Sequence, residues 1–235
     1  MSLRTSLDSA MLSGNKLKLI AALSMTLDHI GVQIYTDCIL FRVLGRFAMP
    51  IFAYMIAEGA KYTKNRKRYL TNMLLLAFVC QLVYFFASGS LYQCILVTFS
   101  LSIILIYVLD RLIEIKNIKN YIIVIVAFLS VYYVSEILPL ILKNTDFAID
   151  YGFAGIMLAV FIYLGRGKIS KLILMAIGLM FLCFVIGGVQ WFSMLAIIPL
   201  ALYSGKRGKV NMKSFFYIYY PLHLVVINLI SLFLK

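Results

Sequence analysis

Charge is scarce in this sequence. Asp, Glu, Lys and Arg make up 13% of its 235 residues, where a soluble domain carries about a quarter. With 63% hydrophobic residues and a mean hydropathy of +0.99, the chain leaves no room for a soluble domain of any size. Acidic side chains are scarcer still, nine against 22 Lys and Arg. Histidine occurs only as His29 and His223. The four cysteines, Cys38, Cys80, Cys94 and Cys183, follow neither a metal motif nor a redox spacing; they read as small apolar residues, with a Cys38–Cys94 bridge at an outer rim left open. No Ser sits in a G-x-S-x-G elbow, and H-E-x-x-H and the P-loop are missing, which excludes the common hydrolase, zinc-protease and nucleotide-cradle chemistries. Two histidines without a carboxylate cluster make a weak zinc site, so no metal is expected.

What the chain does have is long apolar runs. Most span about 17–25 residues, the length that crosses ~30 Å of hydrocarbon at ~1.5 Å per residue. They do not alternate in the way a β-barrel requires. The expectation is an all-α, polytopic transmembrane bundle of nine spans, near 17–36, 39–60, 69–87, 91–112, 120–141, 149–165, 171–187, 189–204 and 213–233. The breaks are turn-like or charged, such as Thr36-Asp37, Ser88-Gly89-Ser90 and Gly187-Gly188. A polar tail, residues 1–15, precedes a single transmembrane domain, residues 16–235. The first apolar run carries Asp28 and His29 in place of a small-residue cleavage site, so it reads as an uncleaved first span of a multi-pass cell-membrane protein.

Charge supports the count. With the N-terminus inside, the inner loops carry Arg4, Lys16 and Lys18; Lys61 to Arg68; Arg111, Lys116 and Lys119; Arg166, Lys168 and Lys171; then Lys206, Arg207, Lys209 and Lys213. The outer side receives only Lys143 and Lys235. Loops therefore alternate in Lys and Arg content as the positive-inside rule demands. That rule accounts for the net charge of +13, and nucleic acid is not an expected partner. No convincing internal repeat is present, which counts against the inverted-repeat transporter folds.

Polar residues inside the runs carry the chemistry. Counted at the rise of a helix, Asp28, His29, Arg46, Gln81 and His223 fall at ~10–18 Å depth, in one layer drawn from four spans. An ionisable group in hydrocarbon costs several kcal/mol and marks function by default. An imidazole near neutrality serves as base or acyl acceptor, a carboxylate orients it, and Arg46 can steady an oxyanion. Asp28 and His29 are adjacent and point ~100° apart on a helix, so an Asp–His pair forms more readily across helices, for instance Asp28 with His223. The plainer alternatives are an Asp28–Arg46 ion pair that only joins two helices and histidines that only pack. A third possibility is that the same groups form the proton relay of a transporter or flippase.

The run Lys61-Tyr62-Thr63-Lys64-Asn65-Arg66-Lys67-Arg68 is denser in charge than topology alone requires. It suits either anionic lipid headgroups or a phosphate clamp for a large anionic donor. Asp150-Tyr151-Gly152 opens the sixth span from outside, either as an interfacial helix start or as the lining of an acceptor mouth.

These residues resemble the TraX family of integral membrane proteins. The resemblance lies in Leu27-Asp28-His29-Ile30-Gly31, in Leu44-Gly45-Arg46-Phe47-Ala48-Met49-Pro50-Ile51-Phe52, and in Ala57-Glu58-Gly59 with Thr63-Lys64-Asn65 and Arg68-Tyr69. It continues in Asp150-Tyr151-Gly152 with Gly155, and in Phe216-Tyr217-Ile218-Tyr219-Tyr220-Pro221-Leu222-His223. It implies an acetyltransferase, since the founding member is associated with N-terminal acetylation of conjugative pilin. The plan is also similar to that of the wider transmembrane acyltransferases, which move acetyl from cytosolic acetyl-CoA to an acceptor across the membrane. On that reading His29, then His223, supplies the catalytic imidazole, while Asp28 orients it and Arg46 stabilises the oxyanion. Lys61, Lys64, Arg66, Lys67 and Arg68 hold the phosphates of acetyl-CoA. Asp150, Tyr151 and Gln81 meet an acceptor that the sequence does not identify. Membrane lipids are the other expected partner, and the oligomeric state is left open.

Overall fold

The computed structural model describes residues 11–210 and 212–234. The first ten residues of the expected tail, with Arg4, and the terminal Lys235 lie outside the described residues, as does the side chain of Lys213. The fold is all-α, as expected: the described residues contain helices and two isolated bridges but no strand. The chain divides into two compact units, one built from residues up to Met55 and from Gly165 onward, the other from Ile56–Leu164.

The first unit contains α1 (Gly14–Gln33), α2 (Ile39–Gly45) and the start of α3 (Ala48–Tyr62), then α9 (Lys168–Ile186), a 3-10 helix (Gly188–Ala196), α10 (Ile197–Ala201) and α11 (Lys213–Leu234). Ser13 caps α1, its hydroxyl accepting the Lys16 amide at 3.4 Å. The segment just before α1 is tied down: Leu12 pairs with Tyr203, and the Gly14 and Asn15 amides donate to Lys206 O and Arg207 O at 2.8 and 2.9 Å. α1 packs on α2 and α11, and the 3-10 helix packs on α2 and α9. The expected second span is interrupted, with α2 ending at Gly45 and α3 starting at Ala48. Pro50 is tolerated there because the first turn of a helix has no use for its missing amide.

The second unit contains the rest of α3, α4 (Arg66–Ser88), α5 (Ile95–Glu114), α6 (Ile118–Tyr132), a π-helical turn (Tyr133–Ile137), α7 (Leu138–Ile141) and α8 (Gly152–Leu164). Asn65 and Asn117 cap α4 and α6 through their side-chain oxygens. α5 is central: it packs on α4, α6 and α8 around a core that includes Ala60, Leu105, Ile106, Val131, Ile156 and Val160.

All nine expected segments are helical, and among the described residues six helices are long and apolar enough to cross a membrane. Gly152–Leu164 and Gly188–Ala201 are apolar but shorter. Large apolar side chains stand exposed in stripes, Ile169, Ile173, Ile177, Phe181 and Phe184 on α9, and Ile118, Ile122, Ile125 and Leu129 on α6. Outward-facing stripes of this kind are stable against lipid and not against water. The protein is an integral membrane protein. All four cysteines are free, so no Cys38–Cys94 bridge forms.

Candidate active site

In the first unit, one face of α1 carries Ser24, Asp28 and Gly31, spaced so that they stack along the helix. Ser24 Oγ donates to the carbonyls of Leu44 and Gly45 at 2.6 and 3.0 Å. Small residues at such a contact let two backbones approach closely. Asp28 thereby reaches the end of α2, where Arg46 Nη2 meets Asp28 Oδ1 at 2.5 Å and Arg42 Nη1 meets the same oxygen at 3.0 Å. One carboxylate is shared by two guanidiniums. Arg46 is buried, and all three of its nitrogens have partners: Nη2 on Asp28, Nη1 on Gln190 Oε1 at 3.1 Å, and Nε on Arg42 O at 3.3 Å. Gln190, on the 3-10 helix, is fully buried.

His29 lies one position round the helix from Asp28 and faces α11. Its ring centroid is 5.1 Å from that of His223. The sequence places both imidazoles in one layer, and the structure brings them side by side. His223 is held firmly. Its Nδ1 lies 3.0 Å from the Tyr219 carbonyl, and since a carbonyl only accepts, Nδ1 carries the proton and Nε2 the lone pair. The Tyr219 ring stacks on the imidazole with centroids 5.2 Å apart and planes 9° apart, and Tyr220 meets it edge-on. Tyr219 is fixed in turn by its hydroxyl, which donates to Ala22 O at 3.2 Å and contacts Thr26 Oγ1. His223 Nε2 is buried and has no hydrogen-bond partner among the described residues. The charged groups near His29 include Arg42 and Arg46. No salt bridge among the described residues joins Asp28 to an imidazole; its ion-pair partners are the two arginines.

The other expected site residues belong to the second unit. Lys61, Lys64, Arg66, Lys67 and Arg68 are all exposed around the start of α4. Arg66 differs from the rest, pairing with Asp110 Oδ2 and lying over the Tyr107 ring at 5.3 Å. The Tyr163 hydroxyl donates to the other oxygen of Asp110 at 2.8 Å. Gln81 Nε2 donates to Ser90 O at 3.3 Å. Asp150 accepts the Tyr92 hydroxyl at 2.7 Å, and its carbonyl accepts the Thr98 hydroxyl at 2.6 Å. Tyr151 takes a left-handed φ of 60°, rare outside glycine. Glu136, on the π-turn, accepts the Phe153 amide at 2.6 Å and so caps α8.

The TraX protein family matches residues 13–231. The chain belongs to the TraX family. Three TraX-like motifs lie in the first unit: Leu27 to Gly31 carries Asp28, Leu44 to Phe52 carries Arg46, and Phe216 to His223 carries His223. The chain is 23% identical over 257 residues to the probable fimbrial assembly protein FimC, serogroup H1, of Dichelobacter nodosus, covering 95% of this chain and 97% of that protein. It is 38% identical over 52 residues to the uncharacterized protein RP591 of Rickettsia prowazekii (strain Madrid E), a match that spans 22% of this chain and only 21% of that protein's length. No solved structure matches.

Three residues outside the expected site set hold polar contacts in this TraX-family member: Arg42 and Gln190 in the first unit and Glu136 in the second. Arg42 was visible four positions before Arg46, the spacing of helical neighbours. Gln190 had a weak signal, an amide side chain just after Gly187-Gly188 in an otherwise apolar stretch. Glu136 had one as well, a lone carboxylate in an apolar run.

Proposed function

We propose that this protein is a cell-membrane acetyltransferase. It moves an acetyl group from cytosolic acetyl-CoA to an amine or hydroxyl of a glycan, lipid or peptide. The observation that carries this reading is His223: Nδ1 is committed to the Tyr219 carbonyl, and Nε2 is a buried, unpartnered base beside a second imidazole. As the acceptor's heteroatom attacks the thioester carbonyl carbon, Nε2 takes its proton. The tetrahedral intermediate then collapses, the C–S bond breaks, and the imidazolium returns the proton to the departing thiolate. His29 serves as the second proton station or as a transient acetyl carrier. The geometry favours His223 over His29 as the base, because its tautomer and ring plane are both fixed.

The single Asp28 carboxylate bridges Arg42 and Arg46, which screens their mutual repulsion and leaves one net positive charge beside the imidazoles. The phosphates of the donor are held by Lys61, Lys64, Lys67 and Arg68, with Arg66 shared between them and Asp110. Asp150, Tyr151 and Gln81 are assigned to the acceptor. With nine spans and the N-terminus inside, the basic segment faces the cytosol. The FimC relative is named for fimbrial assembly, which makes a surface-fibre subunit the first acceptor to try.

The test is turnover of labelled acetyl-CoA by the purified protein. Activity is expected in the wild type and a loss of at least about 100-fold in His223→Ala, the usual worth of a general base. Unchanged turnover in both His29→Ala and His223→Ala overturns the imidazole mechanism. Coenzyme A should also raise the melting temperature, as any ligand of the folded state must. A proton-coupled transporter would use the same neighbouring imidazoles as a relay; it predicts flux driven by a pH gradient and no stabilisation by coenzyme A.

A further inference from the structure

The buried polar groups of the first unit form two chains, and each ends on an atom with no hydrogen-bond partner among the described residues. One chain runs from Tyr219 O through His223 and ends on the lone pair of Nε2. The other runs from Asp28 through Arg46 to Gln190, and ends on Gln190 Nε2. The orientation of the Gln190 amide follows from chemistry: guanidinium has only donors, so Arg46 must face Oε1, and the NH2 group points elsewhere. Gln190 has no exposed surface and His223 is 7% exposed. A buried N–H left without an acceptor costs about 1–3 kcal/mol, and a membrane interior offers no solvent to relieve it. The two chains adjoin: Asp28, which holds Arg46, is followed in α1 by His29, whose ring centroid lies 5.1 Å from that of His223.

The site therefore offers one unpaired donor and one unpaired acceptor. Acyl transfer has the complementary needs: a carbonyl oxygen that gains negative charge and a nucleophile that loses a proton. We propose that Gln190 Nε2 donates to the carbonyl oxygen of the acetyl thioester and stabilises the oxyanion that forms there. Arg46 is then a positioning residue. Its three nitrogens are already engaged, and it acts by fixing the Gln190 amide, with Asp28 fixing Arg46. This inference rests on the acetyl-transfer reading and adds to it a residue that touches the substrate.

Two substitutions separate this role from a merely structural one. Gln190→Glu keeps an oxygen for Arg46 and removes the N–H donor; Gln190→Met removes both. If Gln190 only satisfies Arg46, Gln190→Glu retains wild-type kcat and Gln190→Met does not. If it stabilises the oxyanion, both variants lose kcat by about 10²–10³-fold, the worth of one such donor, while KM for acetyl-CoA and the shift in Tm with coenzyme A stay within about twofold. Wild-type kcat in Gln190→Glu overturns the assignment and leaves the acetyltransferase reading intact. A wild type that neither turns over acetyl-CoA nor gains stability from coenzyme A overturns both. Melting curves of both variants show whether either loss reflects misfolding. If Gln190→Met fails to fold, Gln190→Glu alone still decides the question.

Discussion

A side chain on Gly45 would collide with Asp28: a Cβ there would stand 2.4 Å from both Asp28 Cβ and Oδ1. The carboxylate lies directly against the backbone at the end of α2, and that approach is what lets it reach Arg46. Gly45→Ala must push α1 and α2 apart or swing Asp28 off its arginines. Overpacking of this kind costs about 1–3 kcal/mol. The expected result is a clear drop in Tm in detergent, together with a loss of acetyl transfer. An unchanged Tm would mean that the contact is not as tight as described.

The shared carboxylate makes the two arginines unequal. The side chains of Arg46 and Asp28 are 8% and 17% exposed, whereas that of Arg42 is 31% exposed. Removing Asp28 as Asp28→Asn leaves two cations facing one another in a buried place, at a cost of about 3–5 kcal/mol. Arg42→Ala should cost no more than about 1 kcal/mol, as for a wet ion pair. Adding Arg46→Gln to Asp28→Asn should restore part of the lost stability, with a coupling of about 0.5–3 kcal/mol. Strict additivity in that double-mutant cycle would show that the pair is not coupled.

The elements were legible in the sequence because hydrophobic length is a strong signal. Runs such as Ile95–Glu114 and Lys168–Ile186 have no soluble alternative, and Asn65 and Gly187 mark a helix start and a helix end in the way local chemistry requires. The depth count likewise set His29 and His223 in one layer, and their rings are neighbours. What the sequence did not reveal depends on direction rather than depth. Counting residues cannot tell that Asp28 turns to Arg42 and Arg46 and not to an imidazole, because the choice is made by the close approach at Gly45. The break after Gly45 was hidden because Arg46 and Phe47 interrupt the helix without interrupting the apolar run. Glu136 owes its role to a π-turn, an insertion that hydropathy does not register.

The cap supplied by Glu136 to α8 can be tested in two ways. Gly152 has a φ of +54°, and a Cβ on it would sit 2.7 Å from Glu136 Oε1. Gly152→Ala therefore suffers both a strained backbone and a displaced carboxylate, and should destabilise more than Glu136→Ala, which loses about 1 kcal/mol of capping. Glu136→Gln keeps an acceptor for the Phe153 amide and should melt close to the wild type. If Glu136→Gln is as damaging as Glu136→Ala, the carboxylate has a role other than capping, and its charge is what matters.

Asp146 gives a pH-dependent prediction that stands apart from the membrane segments. Its carboxylate accepts the Ser90 hydroxyl at 2.5 Å and the Leu91 amide at 2.9 Å. The Ser90 hydrogen bond first, and the Leu91 amide second, hold its pKa below the ordinary carboxylate value. A carboxyl whose folded pKa is depressed contributes stability above its unfolded pKa, about 3.9, and loses that contribution as pH falls through the folded value. Asp146 is exposed, so the effect is local and is weakened by salt. Hydrogen exchange at the Leu91 amide, corrected for its intrinsic rate, should show protection at pH 5 that persists down to the ordinary carboxylate value and is lost only below it. In Asp146→Asn the amide oxygen can still accept from Leu91 but cannot titrate, so whatever protection remains should be flat across the same range. Ser90→Ala should move the wild-type transition upward, toward the ordinary carboxylate value, because the hydrogen bond that depresses it most is gone. Wild-type protection with no transition anywhere below the ordinary carboxylate value would show that the ionised carboxylate is not what holds this loop.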